Sequence, residues 1–367
     1  AQVHARVAVG SASAFAQARA LARRLRPAGG SVELLVADPW LRRAEVVEHD
    51  NVVVRRFPLA RGEGVAARDA LRDHLRRAAG AYDVVHAHSV RVLSAVESVA
   101  PDRLVVSLHG LPSTALVGVL EHLRHRDGDG VVLRAARVVC ESGWEAEAVA
   151  RALGVSRGRI EVVTPPLDVE AVRQAQPFAT ESSVVAALGG LRRHSGLERA
   201  IGALPGLPTR FELVALDPAH GRRWVRALAA DLGVSHRVRF PAPGDAVRRR
   251  WLRTARVTTA LSRTGTPVGL LLEAAAAGAL LVASDVPAHR EVSDRLPPGT
   301  VHVVSTRASP LAVADAVLAQ SRRRAALNGV RLPSADDVVS QTIAIYTAVD
   351  EAARSRNGRA PLAPAGR

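Results

Sequence analysis

The sequence predicts an α/β protein made of two Rossmann-like, doubly wound domains facing across a cleft. Three observations predict it. Short β-branched or aliphatic runs alternate with longer helical patterns from end to end; the series restarts near the middle; and 367 residues exceed the length of one small domain. Parallel strands joined by helices open their carboxyl ends toward a ligand crevice, which is the reason for expecting a cleft.

In order, the strand candidates of the first half are ARVAVG (5–10), SVELLVAD (31–38), VVVRRFP (52–58), DVVHAH (83–88), RLVVSLHG (103–110) and ARVVCES (136–142). Each is a short apolar run bounded by turn or polar residues. Between the first two, Ala14, Ala18, Leu21 and Leu25 repeat at helical spacing, and Pro27, Gly29 and Gly30 close the helix. RIEVVTPPLD (159–168) ends this half. The second half opens with SSVVAALGG (182–190) and continues through RFELVALD (210–217), HRVRFPAP (236–243), ARVTTALS (255–262), ALLVASD (279–285) and VHVVS (301–305).

Helix starts are marked by Ser142 with Glu145 and by Ser195 with Glu198, two Ser-x-x-Glu capping boxes. In TPVGLLLEAAAAG, Thr266 is expected to cap, Pro267 to take the first helical position and Gly278 to stop the helix. The resulting division is an N-terminal domain over 1–168, a second domain over 169–338, a last helix over 339–353 returning to the first domain, and a disordered tail over 354–367.

Composition narrows the chemistry. Hydrophobic residues make up 48% and charged residues 23%, values of a globular chain. No uncharged apolar run is long enough for a membrane span, and AQVHARVAVG lacks the layout of a signal peptide, so a cytoplasmic location is expected. The single cysteine, Cys140, lies in an apolar run and reads as a buried, inert thiol. The net charge is +15, and every one of the 50 basic residues is arginine. A lysine base, Schiff base or P-loop lysine is therefore excluded. The positive surface favours anionic partners, but aromatics are only 3% and are not interleaved with the arginines, so nucleic acid is not among the expected partners.

LSRTGTPVGLLLEAAAAGALLVASDVPAHREV (261–292) resembles the nucleotide-sugar region of retaining GT-B glycosyltransferases of family four, in which a loop, a glutamate-bearing helix, glycine, a strand and Ser-Asp follow in this order. DVVHAHS, VVSLHG, LGVSRGRIEVVTPPLD, LGGLRRHSGLERAIGAL and VSQTIAIYTAVDEAA fall in the family's order as well, so the resemblance covers nearly the whole chain. It implies a GT-B fold and transfer of a sugar from a nucleoside diphosphate, with retention and without metal or other cofactor. It makes Glu273 the acceptor of the donor's ribose hydroxyls, a task suited to two carboxylate oxygens. It sets His109 beside the transferred sugar, and Ser284 and Asp285 at the edge of the donor site.

The departures all touch that donor site. The family's diphosphate-binding arginine and lysine are replaced by Gly190 and Ser195, the first acid of its Glu-x7-Glu pair by Gly265, and its glycine turns by Gly10-Ser11-Ala12 and Ala215-Leu216-Asp217. Arg192 and Arg193, in the same loop, are the residues expected to take over the diphosphate. The alternative is a glycosyltransferase-like protein without catalysis, serving as a binding or scaffolding partner. The acceptor, whether small molecule, glycan or lipid, is left open. Contact with anionic membrane surfaces through Arg23, Arg24 and Arg26 is a further expectation.

Overall fold

The computed structural model of the chain describes residues 4–9, 12–38, 41–49, 52–58, 65–78, 80–88, 90–108, 128–189, 195–216, 222–263, 265–323 and 332–356. They fall into two compact units. One combines the described residues up to Thr164 with the helix Ala335–Arg356, and the other is Pro165–Ser334.

In the first unit, β1 (His4–Val9), β2 (Ser31–Asp38), β3 (Glu45–His49), β4 (Val52–Pro58), β5 (Val84–Ala87), β6 (Leu104–Ser107), β7 (Arg137–Cys140) and β8 (Ile160–Val162) form one sheet. Its order is β3-β4-β2-β1-β5-β6-β7-β8. All neighbours pair in parallel except β3 and β4. The central runs VVHA and LVVS are buried throughout, as a sheet covered on both faces requires. The strand β3 was not expected. Its sequence EVVEH leaves Val46 and Val47 exposed at 54% and 42%, so it carries no burial pattern to read, and it joins the sheet as an antiparallel edge.

The first helix, Ala12–Leu25, buries Ala18, Leu21 and Leu25 on the predicted face, and Gly29 turns the chain with φ 74°. The helix Ala335–Arg356 adds Val338, Val339, Ile345, Tyr346 and Val349 to the same core as Leu21, Val32, Val84 and Val105. It runs past the expected end at 353. Arg354 is helical rather than part of a tail, because Asp350 and Asp83 accept from its guanidinium at 2.8 and 3.4 Å. Residues 357–367 of the expected tail lie outside the described residues. Tyr346 Oη meets His86 Nδ1 at 2.7 Å, and Ser107 Oγ meets the other ring nitrogen at 2.6 Å. His86 thus ties the last helix to the sheet centre. Cys140 is fully buried and its thiol is pushed up by that burial, which keeps it protonated and inert.

The second unit holds β9 (Ser183–Leu188), β10 (Phe211–Ala215), β11 (Val238–Arg239), β12 (Val257–Ala260), β13 (Leu280–Ser284) and β14 (Val301–Val304). All pairs are parallel, in the order β11-β10-β9-β12-β13-β14. Each strand is shorter than its apolar run in the sequence, because the last residues of the run pass into the loop at the strand's carboxyl end. Among the described residues no helix is long and apolar enough to cross a membrane.

Candidate functional site

The sheet order of the second unit fixes where a ligand belongs. From β9 the chain moves outward to β10 and β11, then returns to the other side of β9 with β12 and moves outward again to β13 and β14. The loops leaving β9 and β12 therefore diverge at neighbouring carboxyl ends, where Leu188 pairs with Ala260. In open parallel sheets this reversal point is the ligand crevice.

Backbone geometry there is demanding. Gly189 and Gly196 have φ of 126° and 93°. A Cβ on Gly196 would stand 2.2 Å from the Leu261 carbonyl carbon and 2.4 Å from the Ser262 nitrogen, so two loop backbones touch directly. Arg199, buried to 8% exposure, fixes this contact by donating to the Leu261 and Ser305 carbonyls at 3.1 and 2.8 Å. Burial and the neighbouring Arg263 charge pull its guanidinium below the usual arginine range. The expected Ser195 cap is corrected here: Gly196 occupies the cap position, and Glu198 Oε2 accepts from the Gly196 N–H at 3.2 Å. The capping box at Ser142 does form, with Ser142 Oγ accepting from the Glu145 N–H at 3.1 Å, though Glu145 reaches back to the Glu141 N–H at 2.6 Å.

The loop after β12 is held by a histidine that was not among the expected site residues. His289 Nε2 accepts from the Thr266 N–H at 2.8 Å, and its Nδ1 meets the Ser284 carbonyl at 2.9 Å. A carbonyl only accepts, so the proton sits on Nδ1 and the ring is neutral. Ser284 Oγ in turn donates to the Ser262 carbonyl. Ser284 is fully buried and braces the loop. Thr266 does not cap the following helix: the helix runs Val268–Ala276 with Pro267 at its cap position, one residue later than expected, and Thr266 Oγ1 is buried with no hydrogen-bond partner among the described residues. Gly278 stops the helix in the left-handed region as predicted, with φ 85°.

Burial pushes the His289 ring down to about 4, against its ordinary value of 6.5. A depressed folded-state pKa contributes stability that is present above pH 6.5 and lost as pH falls toward 4, and the shift amounts to about 3 kcal/mol. Urea unfolding at pH 7 and pH 4.5 is expected to show this loss in the wild type and not in His289→Gln. Equal losses in both proteins would remove the assignment.

Glu273 sits in the second turn of its helix with its side chain 5% exposed. Its carboxylate is already engaged. From the helix Asp245–Thr254, Arg248 Nε donates to Oε2 at 2.8 Å, Arg248 Nη2 to Oε1 at 3.3 Å and Arg249 Nε to Oε1 at 3.2 Å. Asp245 takes Arg248 Nη1 at 2.7 Å, and Asp168 lies 3.8 Å from Arg249. Burial lowers the Arg248 guanidinium pKa, but the hydrogen bonds and charges of Glu273 and Asp245 outweigh it, and the net shift is upward. Asp285 is paired as well, accepting from Arg290 Nη2 at 2.8 Å, which holds its carboxyl below the usual range. Gly190, Arg192, Arg193 and His109 lie outside the described residues. Among the described residues no group of three or more His, Cys, Asp or Glu side chains is arranged to hold a metal ion.

Comparison with known proteins agrees with this fold. The family profile Glycosyltransferase Family 4 matches residues 16–171, and Glycosyl transferases group 1 matches residues 182–322. A D-inositol 3-phosphate glycosyltransferase of Xylanimonas cellulosilytica is 30% identical, covering 84% of this chain and 83% of its own. Among solved structures, sucrose-phosphate synthase of Thermosynechococcus elongatus superposes with a TM-score of 0.73 at 16% identity, over 95% of this chain and 99% of the other. Anabaena Alr3699/HepE, solved with UDP and glucose, gives 0.72 at 16% identity, over 93% and 98%. The scaffold without catalysis is not favoured by these matches.

Proposed function

The chain belongs to the GT-B glycosyltransferases of family four, enzymes that use nucleotide-sugar donors, and from that premise we propose that it transfers a sugar from a nucleoside diphosphate to a hydroxyl of a phosphorylated polyol. The observation that carries the donor half is the reversal point between β9 and β12, where Gly189 and Gly196 bring backbone up to a ligand crevice. The acceptor rests on the relative's name, D-inositol 3-phosphate glycosyltransferase. Uridine stands first among the bases, since the Anabaena neighbour was solved with UDP.

Within this reading Arg192 and Arg193 neutralise the diphosphate where the family's cations are absent, and no metal is needed for that task. A guanidinium offers paired donors to phosphate oxygens, and a cation on the departing phosphate stabilises the charge that develops in transfer. His109 hydrogen-bonds the sugar, and the anomeric configuration is retained.

The test is the thermal midpoint with UDP, GDP, ADP and dTDP, followed by nucleotide release from the matching sugar donor in the presence of D-inositol 3-phosphate. A ligand at a hundred times its dissociation constant adds about 2.7 kcal/mol of stability. One nucleotide is expected to raise the midpoint, and Arg192→Ala/Arg193→Ala is expected to weaken its binding about tenfold or more. No shift with any nucleotide overturns the reading; a shift without transfer to the polyol phosphate overturns the acceptor alone.

A further inference from the structure

Resting on the donor reading above, we infer that Arg263 is a phosphate-binding residue of the crevice in the second unit. It supplies positive charge beside the reversal point, where Gly190 and Ser195 bring none.

The backbone on both sides of Arg263 is fixed. It is the third residue after β12, whose end borders the reversal point. Of the two residues before it, Leu261 gives its carbonyl to Arg199 at 3.1 Å, Ser262 gives its own to Ser284 Oγ, and the Gly196 turn lies directly against both. Three residues after it, the Thr266 N–H is held by His289 at 2.8 Å. An arginine on such a base has only its own side chain to order when a ligand arrives.

That side chain is exposed, and among the described residues no carboxylate pairs with it. Arg290, in the helix after β13, is by contrast already spent on Asp285. Behind Arg263 stands Arg199, which is buried and donates to two carbonyls. The Arg263 charge is near enough to press on it, and the opposing acid, Glu198, has one oxygen turned to the Gly196 N–H at 3.2 Å. Two like charges side by side are unfavourable until an anion reaches them. A phosphate arriving at this strand end relieves that repulsion and also meets the paired donors of a guanidinium, which match its oxygens. A nucleoside diphosphate is the anion that the donor reading brings here.

Calorimetry with UDP and uridine tests the inference, with GDP and guanosine or ADP and adenosine as further pairs. Arg263→Gln is expected to weaken UDP about tenfold or more and uridine less than about twofold, since uridine carries no phosphate. Arg263→Lys, which keeps the charge and loses the fork, is expected to fall between wild type and glutamine. Arg307→Gln is the control. It removes an equal charge from an exposed residue after β14, two strands out from β12, and is expected to leave UDP within about twofold. An unchanged UDP affinity in Arg263→Gln, equal weakening of UDP and uridine, or an equal effect of Arg307→Gln overturns the inference. UDP binding that Arg192→Ala/Arg193→Ala weakens would then leave the donor reading intact. Binding of no nucleotide by the wild type overturns both. Should Arg263→Gln not fold, the wild type decides: UDP, and not uridine, is expected to protect Arg263 from phenylglyoxal, and reaction at an equal rate with UDP bound overturns the inference.

Discussion

Gly196→Ala is expected to destabilise the protein by about 3 kcal/mol and to abolish nucleotide binding. The glycine has φ 93°, where a side chain alone costs about 1 to 2 kcal/mol. The larger part comes from the neighbours. The new methyl would lie 2.2, 2.4 and 2.5 Å from Leu261 C, Ser262 N and Leu261 O, all backbone atoms of the loop that His289 and Arg199 hold in place. Backbone cannot rotate aside as a side-chain tip can, so the loops after β9 and β12 must part, and with them the crevice. Gly233 supplies the comparison: its φ is 69°, but nothing lies within 4 Å of an added Cβ, so Gly233→Ala pays only the left-handed strain. Urea unfolding and nucleotide titration of both variants check this. Equal stability losses, or retained binding in Gly196→Ala, would show that the two loops are not locked together.

That contact also shows where the sequence stops speaking. The alternation of apolar runs was enough to lay out both sheets, because each strand buried on both faces carries a run of Val, Leu and Ala. The edge strand β3 was silent for the converse reason: EVVEH buries neither valine. The motif around Glu273 located the glutamate on a helix next to a parallel strand, yet its partners stand 24 and 25 residues earlier in a chain crowded with arginines. No spacing marks which of them will face it. His289 was equally hidden, since its two shortest contacts, at 2.8 and 2.9 Å, are to main-chain groups that any residue type could have supplied. Thr266 and Ser195 looked like helix caps because short hydroxyl residues usually are; tertiary packing instead gave the cap positions to Pro267 and Gly196. Motif order thus placed Glu273 on its helix, while the contacts around it came only with the fold.

The arginine content, which at first suggested only anionic partners, also builds the interior, and Arg237 is the strongest case. It is 6% exposed, in the turn just ahead of β11. Its guanidinium donates to the carbonyls of Phe211 and Leu204 at 2.9 Å each, Leu207 at 3.1 Å and Pro208 at 2.9 Å. One planar fork thereby satisfies the whole bend that leads into β10, and burial pulls its pKa below the usual arginine range without a carboxylate to oppose it. Arg237→Met keeps most of the apolar stem and removes every donor. Leu204 and Pro208 carbonyls keep turn partners in the Leu207 and Phe211 amides, so the loss is smaller than four full bonds. About 3 to 5 kcal/mol is expected, from the charge-assisted bonds and the acceptors left buried. Arg237→Lys is expected to recover only a fraction, because three donors on one nitrogen cannot span carbonyls that the fork reaches in two directions. The urea midpoint should fall in that order with an unchanged slope. A methionine variant within about 1 kcal/mol of wild type would mean that water replaces the guanidinium at these carbonyls, and that the arginine is tolerated in the core rather than required by it.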